Sequence, residues 1–152
     1  MCPGVGHPVE HHVDIIQPKE FIMSEYEQQA KETCKKYGIT MKVGEPVYDY
    51  PIWDDKSPHY IFPVTFRKDG KSMKIQFAQT INTGDKAPTE YDVLTCITKS
   101  DPGSFEDFCS EFGYDTDSRK AERTYKAVKR EWEAVKLVFG EGECLKALQE
   151  MV

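Results

Sequence analysis

The sequence predicts an α+β fold, in which a small antiparallel β-sheet of about three strands is covered on one face by several α-helices. Two observations lead to this prediction. A hairpin at residues 59–81 has apolar residues at every second position on both sides of an Asp-Gly turn. A long segment beginning at Ser118 has apolar residues at helical spacing. The 152 residues suffice for one domain with a hydrophobic core.

Residues 1–22 differ from the rest of the chain, because they hold three prolines, two glycines and three histidines without a helix or strand period. We expect them to be a non-native or disordered leader that precedes a single domain over residues 23–152. If Lys19 and Glu20 are encoded AAG-GAG, they spell a ribosome-binding sequence shortly before Met23, which would then be the start. The leader's histidines (His7, His11 and His12) are weak as a metal site, because no cysteine or carboxylate completes a ligand geometry.

The domain begins with a helix and a strand. Ser24 predicts the N-cap of a helix that ends at Gly38. Alternation of apolar and polar residues over residues 39–43 then predicts a half-buried strand that runs on toward Tyr50.

The hairpin that follows is the clearest local structure. Asp69-Gly70 indicates a two-residue turn of type I′, so its flanking residues set the strand register. That register places three apolar pairs on one face: Phe62 with Phe77, Val64 with Ile75 and Phe66 with Met73, while Ile81 continues the same period. Pro63 falls at a non-hydrogen-bonded position of the pair, which favours an edge strand or a bulge.

Two short helices are expected after a loop at residues 82–86. Thr89 predicts the N-cap of the first helix. Ser104 predicts the N-cap of the second, with Asp107 as a partial capping box and Gly113 at the helix end.

The long helix has one apolar face and one basic face. Asp117 stands at its N-cap position. Its apolar residues recur at spacings of three and four: Ala121, Tyr125, Val128, Trp132, Val135 and Phe139. A basic stripe on the opposite face consists of Arg119, Arg123, Lys126 and Arg130. A last short helix follows Gly142. We expect the core to contain Val64, Ile75, Phe77, Phe108, Phe112 and Trp132.

Composition and charge narrow the classes of partner. The formal net charge of -6 argues against a chain held on nucleic acid or an anionic membrane by bulk attraction, although it permits a local basic patch. No segment approaches the length of a membrane span, so we expect no membrane partner. The five cysteines form no C-x-x-C pair, which favours buried, reduced thiols in a cytoplasmic protein without disulfide or zinc.

Six acidic residues and no basic residue lie between positions 101 and 117: Asp101, Glu106, Asp107, Glu111, Asp115 and Asp117. One interpretation is that these acids cap and solvate helix ends. The other is an acidic surface that docks on a basic groove of another protein, such as one that normally holds nucleic acid. Electrostatic complementarity would speed and orient such docking.

Basic residues offer an alternative binding surface. Arg67, Lys68, Lys71 and Lys74 surround the hairpin turn, and with the basic stripe they could contact the phosphates of a nucleic acid. Lysines on a hairpin edge also discourage edge-to-edge pairing of sheets, which is their ordinary role.

The sequence offers little for catalysis. It contains no glycine-rich phosphate loop, nucleophile elbow or H-E-x-x-H motif, and His59 is the one histidine outside the leader. Asp115 and Asp117 could hold a divalent ion for a hydrolase, but no third or fourth ligand stands at a suitable offset. We therefore expect no enzyme, no cofactor and no metal site.

The C-terminal half is similar to a group of small proteins encoded by bacteriophages and prophages. Three segments resemble that group: YDVL at 91–94, DPGSFEDFC at 101–109 and FGYDTDSR at 112–119. A looser resemblance reaches back to Met23. The resemblance implies phage or mobile DNA in a bacterial cytoplasm as the context, and it implies no catalytic residue. Short phage accessory proteins of this kind often act by binding, either blocking a host defence effector, as anti-CRISPR proteins do, or assisting phage DNA metabolism.

The expected function is therefore inhibition by binding. We expect a non-enzymatic inhibitor that binds a host protein, a CRISPR effector or another defence nuclease, through the acidic residues between Asp101 and Asp117. The alternative is a nucleic-acid-binding accessory protein of phage DNA metabolism that uses the basic hairpin and the basic stripe.

Overall fold

A computed structural model describes residues 24–52, 54, 56–79 and 86–151, which form five α-helices and a four-stranded antiparallel β-sheet. The predicted α+β class is therefore confirmed. The leader expected at residues 1–22 lies outside the described residues, as do Ile81 of the predicted hairpin and most of the loop expected at residues 82–86.

Helix α1 spans Glu25–Tyr37 and confirms both predicted ends. The Ser24 hydroxyl accepts a hydrogen bond from the N–H of Glu27 at 3.1 Å, and the Glu27 carboxylate accepts one from the N–H of Ser24 at 3.4 Å. This reciprocal capping box satisfies two backbone donors of the first turn. Gly38 ends the helix with a φ of 68°, a left-handed conformation that glycine adopts without steric cost.

Four strands make up the sheet: β1 (Thr40–Val43), β2 (Val47–Asp49), β3 (His59–Lys68) and β4 (Lys71–Gln79). β3 lies in the centre, with β1 and β2 along one side and β4 along the other. The predicted hairpin register is confirmed, because Val64 pairs with Ile75, and both turn residues, Asp69 and Gly70, have positive φ. The strand expected to run on toward Tyr50 is divided into β1 and β2, so the sheet has four strands rather than about three.

Pro63 explains why that strand is divided. It lies opposite Gln76 of β4 at a non-hydrogen-bonded position, so its missing N–H faces β1 and β2. On that side, the five residues 43–47 lie opposite the four residues 61–64 of β3. The extra residue interrupts the hydrogen bonds between the strands and forms a bulge. The predicted edge strand is therefore wrong, because β3 is central, whereas the predicted alternative of a bulge is found in the neighbouring strand.

Gly44 sits inside this bulge, in close contact with Pro63. Its N–H donates to the carbonyl oxygen of Pro63 at 2.8 Å, and a Cβ added to Gly44 would lie 2.8 Å from Pro63 Cγ. Two carbon atoms are in optimal contact at about 3.5–4.0 Å, so a side chain at this position would clash with the proline ring.

The four remaining helices are α2 (Glu90–Ile97), α3 (Phe105–Phe112), α4 (Arg119–Phe139) and α5 (Glu143–Gln149). The predicted N-caps of α2 and α3 are confirmed. The hydroxyl of Thr89 accepts from the N–H of Asp92 at 3.2 Å, and that of Ser104 accepts from the N–H of Asp107 at 3.1 Å. Gly113 follows α3 with a φ of 75°, which confirms the predicted end of this helix.

The main core lies between the β3–β4 hairpin and the helices α1, α2, α4 and α5. The apolar face of α4 packs on the hairpin, where the rings of Phe139 and Phe66 meet edge-on with 5.6 Å between centroids. Five expected core residues are buried: Val64, Ile75, Phe77, Phe108 and Trp132. The same expectation is wrong for Phe112, which is 44% exposed because it is the last residue of α3 and lies at the rim of its packed face.

The four cysteines that the structure describes divide into two groups. Cys34, Cys109 and Cys144 are buried free thiols, as expected, and burial raises the pKa of the Cys34 thiol to about 12. Cys96 is disulfide-bonded, so the prediction of a chain without disulfides is wrong. Sequence spacing failed here because it says nothing about thiols that folding brings together.

We expect Gly44→Ala to lower the free energy of unfolding by about 1–3 kcal/mol, because the added methyl group must displace the Pro63 ring or the bulge backbone. Denaturant unfolding followed by circular dichroism measures this change. Pro63→Ala removes the Cγ atom that the methyl group would meet, so the double variant should recover much of the loss. Strictly additive effects of the two substitutions would contradict the proposed clash.

Candidate binding surfaces

Helix α3 and the first half of α4 form a second apolar cluster beside the main core. Phe108 lies at its centre, with its ring centroid 5.4 Å from that of Tyr125 and 5.8 Å from that of Tyr114. The Tyr125 hydroxyl also donates to the carbonyl oxygen of Gly103 at 2.7 Å, which fastens the loop before α3 to α4. This cluster holds residues 101–117 in place on α4.

Three of the six predicted acidic residues lie on the solvent face of α3. Phe108 and Cys109 are buried. At about 100° per residue, Glu106, Asp107 and Glu111 project from the opposite side of the helix, and all three are exposed.

Asp101 lies beside the N-terminal end of α3. Its Oδ1 accepts from the N–H of Gly103 at 3.0 Å. A Cβ added to Gly103 would lie 3.8 Å from Oδ2 of Asp107. Asp101 and Asp107 therefore flank the same short loop.

Asp115 and Asp117 lie in the connection that follows α3. Burial, together with the negative charges of Glu106 and Asp115, raises the pKa of the Cys109 thiol, so both acids lie near this buried residue. Asp117 stands directly before the N-cap of α4. The six carboxylates thus surround α3, and we call them the acidic surface.

Serines, not these acids, provide the side-chain caps of the two helices. The N-cap of α4 is Ser118, whose hydroxyl accepts from the N–H of Ala121 at 3.1 Å. The predicted cap, Asp117, is therefore wrong by one residue, because aspartate and serine are equally good caps and propensity cannot choose between neighbours. Five carboxylates form no hydrogen bond or salt bridge with any described residue: Glu106, Asp107, Glu111, Asp115 and Asp117. Glu106 and Asp107 still interact favourably with the dipole of α3, since they lie in its first turn.

Phe112 adds an exposed aromatic ring to the acidic surface. Its ring centroid lies 5.0 Å from that of Phe108, so one side of the ring is packed while 44% of the residue is exposed. Sequence reasoning placed it in the core. Its position directly before the terminal Gly113 was the one signal that it could lie at the rim.

Three of the four basic residues around the hairpin turn, Arg67, Lys68 and Lys71, line a shallow cavity of about 180 Å³ together with Gly38 and Thr40. Arg67 and Lys71 are exposed there. Lys68 Nζ lies 2.7 Å from a carboxylate oxygen of Asp69, and this hydrogen bond raises the pKa of Lys68.

The basic stripe does not continue the basic surface of the hairpin turn. Arg119, Arg123, Lys126 and Arg130 are exposed, and Lys126 Nζ lies 3.7 Å from a carboxylate oxygen of Glu122. The hairpin turn lies near the C-terminal end of α4, as the contact of Phe66 with Phe139 shows. Arg119 lies about 30 Å from that end, at about 1.5 Å per helical residue. One residue of the hairpin turn, Lys74, and one residue of the basic stripe, Arg130, line the same cavity.

That cavity is a groove of about 610 Å³ between β4 and α4. Its walls are residues 74–78 of β4 and residues 127, 128, 130 and 131 of α4, and residues 49–52 lie at its side. Glu131 is half-buried in it, and this burial raises the pKa of its carboxyl group. Sequence reasoning missed the groove, because it joins three segments that are far apart in the chain.

Neither a metal cluster nor a membrane-spanning helix is found among the residues that the structure describes. In that part of the chain, no group of three or more His, Cys, Asp or Glu side chains is placed to hold a metal ion. No helix there is both long and apolar enough to cross a membrane.

No protein-family model matches the chain, and neither a curated protein nor a solved structure does. Its function is therefore argued from the geometry of these surfaces.

We expect Ser118→Ala to lower the free energy of unfolding by about 1 kcal/mol, because it removes the hydroxyl that caps α4. Asp117→Ala should change it by less than about 0.5 kcal/mol, since its exposed carboxylate has no described partner. Denaturant unfolding of both variants measures the difference. A larger loss for Asp117→Ala than for Ser118→Ala would show that the cap is misassigned.

We expect Glu131→Gln to stabilise the chain at pH 7 and to lose this advantage toward pH 4.5. Because burial raises the carboxyl pKa, the folded chain holds this proton more tightly than the unfolded chain does. The free energy of unfolding of the parent chain therefore falls as pH rises from about 4.5 through the raised pKa. Thermal unfolding across this pH range tests the sign, with exposed Glu141→Gln as the matched control. A stability difference that does not change with pH would contradict it.

Proposed function

We propose that this chain is a phage or mobile-element accessory protein that inhibits a bacterial defence system without catalysis of its own, as anti-CRISPR proteins do. It acts in the host cytoplasm by binding the effector protein, a CRISPR effector or another defence nuclease, through the acidic surface. One observation carries the proposal. Five carboxylates around α3 are exposed and have no partner among the described residues, while serines supply the helix caps.

An acidic surface of this kind suits a groove that normally binds nucleic acid. Such grooves present lysine and arginine side chains that neutralise phosphates. Glu106, Asp107 and Glu111 stand on one helix face and offer carboxylates to the same cations. At physiological ionic strength, attraction between exposed charges acts over about 8 Å, so it steers the final approach and orients the docked chain.

Phe112 supplies the apolar contact that charge alone lacks. Binding energy at protein interfaces comes mainly from a few anchors that lose contact with water, and charged residues at the rim add orientation. Phe112 is 44% exposed and is flanked in the chain by Glu111 on one side and, beyond Gly113 and Tyr114, by Asp115. Its ring is therefore the central anchor that we assign to this interface.

Nucleic-acid binding through the basic residues is the rival function. The meeting of Lys74 and Arg130 at one groove favours it, whereas the spread of the other bases along α4 does not. The dependence of binding on salt concentration distinguishes the two functions. Binding to duplex DNA should weaken steeply as salt rises, and neutralising Arg123, Lys126 and Arg130 should make that dependence shallower.

We expect the full chain to inhibit DNA cleavage by the purified effector nuclease and to restore phage plaques on bacteria that carry that defence system. The triple reversal Glu106→Lys, Asp107→Lys and Glu111→Lys should weaken inhibition at least tenfold, mainly through slower association, because it places like charges against the basic groove. Cleavage assays with increasing chain concentration, run with a panel of defence nucleases, measure this effect.

The matched control reverses Glu45, Glu141 and Glu150, which are exposed on other parts of the chain. Three reversals of +2 each take the formal net charge from -6 to 0 in both triple variants. Equal weakening by the two variants would mean that total charge, not the acidic surface, governs binding. Full inhibition by the first variant would refute the proposed surface. Salt-dependent DNA binding without inhibition of any nuclease would favour the rival function.

A further inference from the structure

The outer edge of β4 presents backbone groups that no described residue uses. In an antiparallel pair, successive residues direct their N–H and C=O groups alternately toward the partner strand and away from it. The two-residue turn makes Lys68 and Lys71 a hydrogen-bonded pair. Four residues of β4 therefore direct these groups away from β3: Ser72, Lys74, Gln76 and Ala78. Within the described part of the chain, β3 is the one strand that pairs with β4, and these four residues have no further hydrogen bond.

The groove between β4 and α4 lies along this edge. Three of the outward-facing residues line it: Lys74, Gln76 and Ala78. Lys74 and Gln76 are exposed, whereas Ala78 is only 2% exposed, so its backbone is not open to a partner. At about 3.4 Å per residue, Lys74 and Gln76 offer an edge of about 7 Å, long enough for a strand of about three residues. Ala127 and Val128 of α4 stand across the groove and give it an apolar wall.

Exposed apolar residues lie beside the groove, after β2. Tyr50 (53%) and Ile52 (51%) are exposed, and both line the groove. Val47 (59%) and Tyr48 (51%) are exposed as well, but as consecutive residues of β2 they face opposite sides of the sheet. Exposed apolar side chains at a groove are typical of sites that bind another chain.

The charges of the groove favour an acidic group in the occupant. Lys74 and Arg130 are exposed on opposite walls, and neither forms an ion pair with a described residue. Of the two acids that line the groove, Asp49 offsets one of these positive charges, and its carboxylate accepts a hydrogen bond from the N–H of Tyr50 at 2.7 Å. The other, Glu131, is half-buried, which disfavours its charged form.

We propose that the groove between β4 and α4 binds an extended segment of a partner protein, which adds to the outer edge of β4 as a further strand. Backbone hydrogen bonds to Lys74 and Gln76 provide the common recognition. Apolar side chains at alternate positions of the segment enter the groove toward Val128, and an acidic side chain pairs with Lys74. This inference is independent of the acidic surface around α3, because none of the residues of that surface lines the groove.

The test uses the full chain and a defined probe, an acetylated and amidated heptapeptide in which valine alternates with threonine or aspartate. Nuclear magnetic resonance of the ¹⁵N-labelled chain should show saturable shifts at the amides of Lys74 and Gln76. Hydrogen exchange at these amides should slow at least tenfold when the peptide binds. The amide of Ile75, which already pairs within the hairpin, should change much less.

Two controls separate strand addition from simple apolar contact. A peptide N-methylated at the residues whose N–H groups face β4 keeps every side chain and should bind at least tenfold more weakly. In the chain, Gln76→Pro removes an outward N–H without removing a hydrogen bond to β3, and it should abolish binding. Ser72→Pro makes the same change at an outward position outside the groove, and it should leave binding intact. The methylated peptide keeps the test decisive if Gln76→Pro fails to fold.

Several results would overturn the proposal. Equal binding of the methylated peptide, or binding that Gln76→Pro leaves intact, would show that the edge is not used. The absence of saturable binding at millimolar peptide would have the same meaning. Concentration-dependent dimers in sedimentation that Gln76→Pro abolishes would show that a second copy of the chain, not a partner segment, occupies the edge.

Discussion

The packing of α4 against the β3–β4 hairpin is the interaction on which the rest of the structure depends. The helix is about 31 Å long at 1.5 Å per residue, and its second half buries Trp132, Val135 and Phe139 in the main core. Each such side chain contributes about 1.5–3 kcal/mol when it leaves water. The first half of α4 packs against α3 instead, through Tyr125 and Phe108. One helix therefore carries both candidate surfaces, the acidic surface at its start and the groove beside its middle.

Pro63 imposes the second constraint, because it makes the two sides of β3 unequal. On the side of β1 and β2 the missing donor requires a bulge, and Gly44 occupies it. On the other side β4 pairs over nine residues without interruption, so its outer edge is regular, and no other described strand pairs with it. Lys71 and Lys74 on this edge oppose pairing with another open sheet. In the proposed strand addition, Lys74 would also favour a segment that carries an acidic side chain.

The sequence predicted those features that depend on neighbouring residues. The Ser24 cap, the Asp69-Gly70 turn and the register of Val64 with Ile75 follow from local hydrogen bonding and from strand alternation. The predictions were wrong where the structure depends on contacts between residues that are distant in the sequence. Whether Pro63 lies in a central or an edge strand depends on where β1 and β2 pair, and the exposure of Phe112 depends on how α3 sits on α4. The sequence shows that the acidic residues form a cluster. It does not show that serines cap the helices in their place, because Asp117 and Ser118 are equally good caps. The groove could not be predicted, since its three walls are separated by more than twenty residues in the chain.

The arrangement of both surfaces on α4 also determines how they can cooperate. Arg119, next to the acidic surface, and Arg130, at the groove, are eleven residues apart on the helix, or about 16 Å at 1.5 Å per residue. This separation exceeds the Debye length of about 8 Å at physiological ionic strength, so the charges of one surface scarcely alter binding at the other. Because one helix fixes the distance between them, a single partner that contacts both surfaces binds the second at a high effective concentration once the first is engaged. Two modest contacts held at a fixed spacing can then produce tight binding, which the proposed inhibition without catalysis would require.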